Sequence, residues 1–300
     1  MKKKTYLFAL MAMALTLGSC SDNENGIGGE TSKYITVSTS IGNMTRVATD
    51  AKGGQTFEEG DEISVYAWTG DATIAPDASE RVVNNAINKL TNGSWISTPQ
   101  MLWKNNRDKH YFIGVYPTAA ISDLSVGEYT FDANKQTESD LLVAVNPDGL
   151  SYSADAQQTV PLTFTHVMAK LVVNLTYKNQ WGGIPTVEKV VVGNAAKEAT
   201  INYLTKVVTP STTAKEDFSL PEITENTKYV SVIIPQEEVT QLTIVIGGKN
   251  FVYDNGTPFK LESGKITTVN LEVGRDEIKL GDVKITNWED GSTFSGEALN

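Results

Sequence analysis

Cysteine is nearly absent from this chain of 300 residues: there is one. A single cysteine cannot form an internal disulfide, so the fold must be held by its core. Histidine is almost as scarce, with two residues. That leaves too few ligands for a Cys/His zinc site and disfavours catalysis through imidazole. Basic charge is in deficit as well. Lys and Arg number 25 against 36 Asp and Glu, a net charge of −11. Binding to nucleic acid through a basic face is therefore a poor fit. Charged residues are only 20% of the chain, too few for a polyelectrolyte tail. The sequence has no G-x-S-x-G elbow, no H-E-x-x-H pair and no P-loop. What it does have is 40% apolar residues with 24 Gly and 10 Pro, the composition of a globular chain rich in turns. Its length suits about one or two domains.

The single cysteine has a revealing place. Lys2, Lys3 and Lys4 precede an apolar run over residues 5–16, the length of a signal-peptide core and too short to span a bilayer. The run ends in Leu17-Gly18-Ser19-Cys20. Small residues just before a Cys resemble a bacterial lipobox, which makes residues 1–19 a lipoprotein signal peptide and Cys20 the lipidation site. Removing the signal leaves a net charge of −14. Several acyl chains anchor stably, whereas one alone is marginal. Residues 20–32 are polar, acidic and glycine-rich, a flexible tether. Asp22 and Glu24 loosely resemble a surface-export signal and equally suit a solvated linker. Gly26, Gly28 and Gly29 have no strand before them or helix after them and are given no phosphate-binding role.

The rest of the chain reads as strands. Residues 34–41 alternate, with Ile35, Val37, Thr39 and Ile41 on one face. Further strands are expected at 63–67, 84–90, 94–97, 111–116, 141–145, 162–177, 187–192, 200–203, 229–234, 242–246, 249–253, 265–273 and 283–288. Asn92-Gly93 is a type I′ hairpin signal. Asn146-Pro147-Asp148-Gly149 and Asp254-Asn255-Gly256 read as turns. Roughly fourteen strands and no sustained helical period predict an all-β fold, antiparallel, with two sandwiches in tandem. The boundary is placed in the polar stretch near residues 151–158, giving domains at 33–157 and 158–300.

Candidate chemistry is thin. His110 follows the charged Arg107-Asp108-Lys109 and is expected to be solvated, while His166 is expected to be packed or capping. No serine is singled out as a nucleophile, so no catalytic residues are assigned. Glu58, Glu59, Asp61 and Glu62 lack the spacing of a calcium loop and read as a solvated turn, so no metal site and no cofactor are expected. Trp68, Trp95, Trp103, Trp181 and Trp288 suit core or edge packing better than a sugar-stacking platform.

Several motifs occur in an order that resembles the fimbrillin family, lipoprotein-derived subunits of type V pili. Phe57-Glu58-Glu59-Gly60-Asp61-Glu62-Ile63-Ser64-Val65-Tyr66 resembles its "F..GD.I.VY" strand entry. Trp95, Leu102-Trp103 and then Tyr111-Phe112-Ile113-Gly114-Val115-Tyr116-Pro117 follow in the family's order. Asp140-Leu141-Leu142-Val143-Ala144 is similar to "DLL.A", and the segment from Val160 to Leu171 is similar to "V.L.F.H..AKL". Residues 283–288 resemble its closing strand.

The resemblance implies two transthyretin-like sandwiches and no enzymatic activity. It also implies export to the outer membrane and cell surface, with cleavage by a trypsin-like protease after the first strand. That strand leaves and is replaced by one from another pilin subunit, so that subunits polymerise head to tail. On this expectation Ile35, Val37 and Ile41 are the pocket fillers of the removable strand, and Arg46 is the cleavage site, with Lys52 as an alternative. Residues 289–300 are polar and make a short donor; the strand from Val283 is the other candidate. Stalk, tip and anchor positions all remain open at this point. So does a second reading, a monomeric glycan-binding surface lipoprotein, with an unrecognised hydrolase as a weaker third.

Overall fold

Apolar and polar residues alternate through most of the chain, and the strands follow that alternation. The structure, a computed structural model, describes residues 33–42, 56–153, 158–239, 241–253 and 258–288. In chain order its strands are β1 (Thr36–Ile41), β2 (Glu62–Thr69), β3 (Val83–Thr91), β4 (Ser94–Thr98), β5 (Lys109–Tyr116), β6 (Gly127–Thr130) and β7 (Leu142–Ser151). Next come β8 (Thr159–His166), β9 (Ala169–Tyr177), β10 (Val187–Ala196), β11 (Glu198–Asn202), β12 (Val207–Pro210), β13 (Lys215–Ser219) and β14 (Glu222–Thr224). The last are β15 (Lys228–Ile233), β16 (Gln236–Val239), β17 (Leu242–Ile246), β18 (Lys249–Tyr253), β19 (Phe259–Leu261), β20 (Lys265–Val273) and β21 (Ile278–Asn287). One 3-10 turn, Asn179–Trp181, is the single helical element among the described residues. The all-β class is as expected. The strands are more numerous than fourteen because short pairs such as β16–β19 have too few residues to show a period.

Seven strands form one sheet in the order β1-β8-β7-β5-β2-β3-β4. The other sheets are β13-β10-β17-β18, β12-β11-β6, β14-β15-β9-β20-β21 and the pair β16-β19. The central strands of the seven-stranded sheet are apolar on both faces. Ile63, Val65, Ala67, Phe112, Leu142 and Ala144 enter one hydrophobic cluster with β1. Tyr66, Trp68, Ile113, Val115 and Val143 enter a second cluster, continuous with residues of β9, β10, β17 and β20. Burial on both sides explains why β2 reads as an unbroken run, EISVYAWT, rather than a strict alternation.

Three local expectations are corrected. The run over 162–177 is two strands, because Val167 and Met168 turn the chain from the seven-stranded sheet into the sheet of β9. Asn146-Pro147-Asp148-Gly149 does not end a strand. Phe112 pairs with Asn146 and His110 with Leu150, so the turn chemistry is spent on a bulge inside β7. Gly149 there has φ of 64°, and its N–H donates to Asn146 Oδ1 at 2.9 Å. Finally, two pairs are parallel, β1 with β8 and β9 with β20. Parallel neighbours need long crossovers, and no local signal announces them. The Asn92-Gly93 turn is as expected, with φ of 51° and 73°. Asp254, Asn255 and Gly256 lie outside the described residues.

Candidate functional site

The seven-stranded sheet rolls around the cluster that contains Ile35, Val37 and Ile41, and β1 closes the roll. On one side β1 runs parallel to β8, from Thr36 opposite Thr159 to Ile41 opposite Phe164. Gly42 N–H extends the ladder to Phe164 C=O at 2.8 Å. On the other side the chain just before β1 meets the segment that follows β4. Ile35 N–H donates to Met101 C=O at 2.9 Å and Trp103 N–H to Lys33 C=O at 3.1 Å, around an antiparallel bridge between Tyr34 and Leu102.

Period two places Ile35, Val37, Thr39 and Ile41 inward. Ile35 is 2% exposed, Val37 6% and Ile41 9%, so all three expected pocket fillers sit in one groove. Its walls include Val65, Met101, Trp103, Phe112, Leu162 and Phe164. Gly114 lets Phe164 approach β5 closely, since a Cβ there would come within 2.6 Å of the ring. Pro161 interrupts nothing on the β1 side. Backbone groups alternate along a strand, and with Phe164 C=O facing β1 the missing N–H of Pro161 faces the other way. On the outer face Thr36 meets Thr159 at 3.2 Å and Ser40 meets Thr163 at 3.3 Å, hydroxyl to hydroxyl.

One end of the groove is held by His110, which is fully buried rather than solvated. β5 starts at Lys109, and the two-residue period turns the next side chain inward. His110 Nε2 accepts from Lys104 N–H at 3.0 Å and Nδ1 donates to Asp108 C=O at 3.1 Å, which assigns a neutral ring. Burial holds its pKa below the usual value, opposed by the Asp108 carbonyl. The ring stands edge-on to Trp103, 4.9 Å between centroids. At the other end Phe57 packs against Trp95, Tyr116 and Phe164 at 5.3, 5.4 and 5.1 Å. The sequence pattern named Trp95 and Trp103 without giving them to the groove.

The acidic residues beside Phe57 make a turn: Asp61 Oδ2 accepts from Glu58 N–H at 2.7 Å, and Glu62 pairs with Lys89 at 3.0 Å. Trp68 and Trp103 are buried, while Trp95, Trp181 and Trp288 are half-buried.

A second cluster gathers the later motifs. His166 Nδ1 lies 2.8 Å from Asp140 Oδ1, and its ring stacks on Trp288 at 3.9 Å and 4°. Lys170 Nζ lies 5.0 Å from the centroid of the same Trp288. Burial lowers the Lys170 pKa to about 8, against the attraction of Asp140 and with the repulsion of Lys228. Residues far apart in sequence thus fasten the end of β21 to β8 and β9. His166 is packed, as expected.

Cys20, Arg46 and Lys52 lie outside the described residues. Of the expected site residues the structure brings together Ile35, Val37 and Ile41.

The model of the fimbrillin-like family matches residues 45–288. The chain belongs to the fimbrillin-like family. The match begins past β1 and takes in all the segments from Phe57 to Trp288 that resemble fimbrillins. A candidate fimbrium subunit, Fim1C of Bacteroides uniformis, is 24% identical over 315 aligned positions, covering 97% of each chain. A candidate cell-adhesion protein from Bacteroides ovatus superposes with a TM-score of 0.65 at 18% identity, covering 86% of this chain and 98% of the other. The tip fimbrial protein Mfa3 of Porphyromonas gingivalis, with a C-terminal truncation, gives 0.50 at 11% identity, over 77% of this chain and 95% of the other. At these identities the solved structures speak to the fold of this family member.

Proposed function

We propose that this chain is a structural subunit of a cell-surface fimbria, contributes to adhesion, and joins its neighbours by strand exchange through the β1 groove. It is not an enzyme in this reading. It travels as a lipoprotein anchored in the outer membrane through Cys20. A trypsin-like protease cuts after Arg46, in the connection between β1 and β2. β1 then leaves, and a strand of another pilin subunit takes its place. Repeated head to tail, a contact that does not close builds a filament. The division into two sandwiches in tandem belongs to the same proposal, with the passage of the chain between sheets at Val167 and Met168 in its support. Among the described residues no helix is long and apolar enough to cross a membrane.

The observation that carries the reading is the place of β1 as the strand that closes the roll. Its departure would expose the pockets of Ile35, Val37 and Ile41, each worth about 1.5–3 kcal/mol of burial. It would also leave the β8 edge unpaired, a template for an incoming strand. An emptied groove of that kind is strongly driven to refill.

The test is trypsin treatment of the purified mature protein, followed by mass spectrometry and electron microscopy. A clean cut at Arg46, loss of residues 20–46 and growth of filaments are expected. A retained β1 together with tight oligosaccharide binding would replace this reading with the monomeric glycan-binding lipoprotein.

A further inference from the structure

The groove is not uniformly apolar. Of the four inward residues of the first strand, the third is Thr39, half-buried opposite Leu162. Its Oγ1 accepts a hydrogen bond from Trp95 Nε1 at 3.0 Å. Trp95 lies on β4 opposite Leu90. Its ring is positioned by Phe57, edge-on at 5.3 Å and 84°, and Phe57 is itself braced by Phe164 and Tyr116. The ring's place is therefore set by residues that do not belong to β1. An indole N–H can only donate. It presents a fixed donor to whatever occupies the third pocket.

We propose that Trp95 selects the strand that occupies the groove, by requiring a hydroxyl at its third inward position. This rests on the exchange reading above. The fitting strand runs parallel to β8 and carries apolar, apolar, Ser or Thr, and apolar residues at alternate positions. An apolar third residue would cover the indole N–H and leave it without an acceptor. Sites built to bond a hydroxyl reject analogues that lack one for this reason. The outer-face hydroxyl pairs Thr36–Thr159 and Ser40–Thr163 are exposed, so water can replace them and they select little.

The partner can be narrowed further. Apart from β1, no strand among the described residues has this spacing. In β21 one frame reads Ile278, Leu280, Asp282, Lys284; the other begins Val283, Ile285, Asn287 and continues in sequence to Glu289. Both place a charged residue where Ile41 sits. Among the described residues, then, β1 itself fits the groove and β21 of another copy does not.

The test uses the full mature chain, nicked by trypsin, and labelled peptides with the sequence of residues 33–42 bearing Thr, Ser or Val at position 39. Uptake is followed by native mass spectrometry. The Thr and Ser peptides are expected to bind alike and the Val peptide about tenfold more weakly. In a Trp95→Phe chain the preference should vanish. Equal uptake of Thr and Val peptides by the wild-type chain overturns the selection by Trp95 and leaves strand exchange standing. Failure of every peptide to enter overturns both. A urea-unfolding double-mutant cycle of Thr39→Val with Trp95→Phe, made in the intact chain, tests the same contact independently. Strong coupling supports the proposal, and additivity overturns it whatever the peptides do.

Discussion

The first and last strands of the described chain, β1 and β21, carry similar residues and are held in opposite ways. With Ile35 just before its start, β1 offers Ile, Val and Ile to a groove and buries all three. β21 offers Val283 and Ile285 toward the same kind of interior, yet both remain 37% exposed. The difference is one of surroundings. β1 has β8 along one side and residues 101–103 beyond its start, and the rolled sheet beneath it. β21 pairs on one side only, with β20, and is bulged opposite Asn270. Apolar content alone therefore does not say how firmly a strand is held. Pairing on both sides and a closed floor do.

Substitution with aspartate should separate the two strands most widely. Val37→Asp buries a carboxylate with no partner and is expected to cost about 3–5 kcal/mol in urea unfolding. Val283→Asp, at an open edge, should cost less than about 1 kcal/mol. Equal losses would break the comparison.

The end of β21 has its own fastening, and pH should reveal it. The Lys170 pKa, lowered to about 8 in the folded chain, lies below its value of 10.5 in the unfolded one. Below pH 8 both states hold the proton and the burial penalty is complete. Between pH 8 and about 10 the unfolded state binds more protons than the folded one, so stability should rise with pH, by on the order of 1–3 kcal/mol. Lys170→Met should flatten that rise. A flat wild-type profile would mean that Lys170 is not held under Trp288 as described.

The smallest effect belongs to the start of β1. His110 has a depressed pKa, so the folded ring is neutral at pH 7. As pH falls below 6.5 the unfolded chain gains a proton that the folded chain resists, and stability declines. Protonated Nε2 can no longer accept from Lys104 N–H. Hydrogen exchange at Ile35, corrected for intrinsic rates, should accelerate between pH 7 and 5.5, with little change at Ile285. Parallel behaviour at both residues would erase the contrast between the strands.

Much of the fold was legible because alternation is a local property. β1 and β20 follow directly from it, β5 from its aromatic and β-branched run, and the turn at Asn92-Gly93 from its own pair of residues. Pairing was not legible. Nothing in Val37 points to Val160, and the split between β8 and β9 occurs at Val167 and Met168, apolar residues without turn chemistry. The burial of His110 was hidden because three charged neighbours mask the period that turns it inward. The groove fillers could be named from their spacing. The walls could not, because Met101, Trp103 and Phe164 meet only after the sheet has rolled. The motifs at Asp140, His166, Lys170 and Trp288 were visible one by one, while their meeting at a single ring stack was not.

The parallel pairing of β1 also sets an order in time. Thr36 and its partner Thr159 are 123 residues apart. A chain that emerges from its amino end exposes β1 long before β8 exists to receive it. Closing so long a loop adds only a modest entropic cost, yet it must await every residue between. The strand made first can be seated only after the sheet it completes has been made, and until then it travels as an unpaired, β-prone segment.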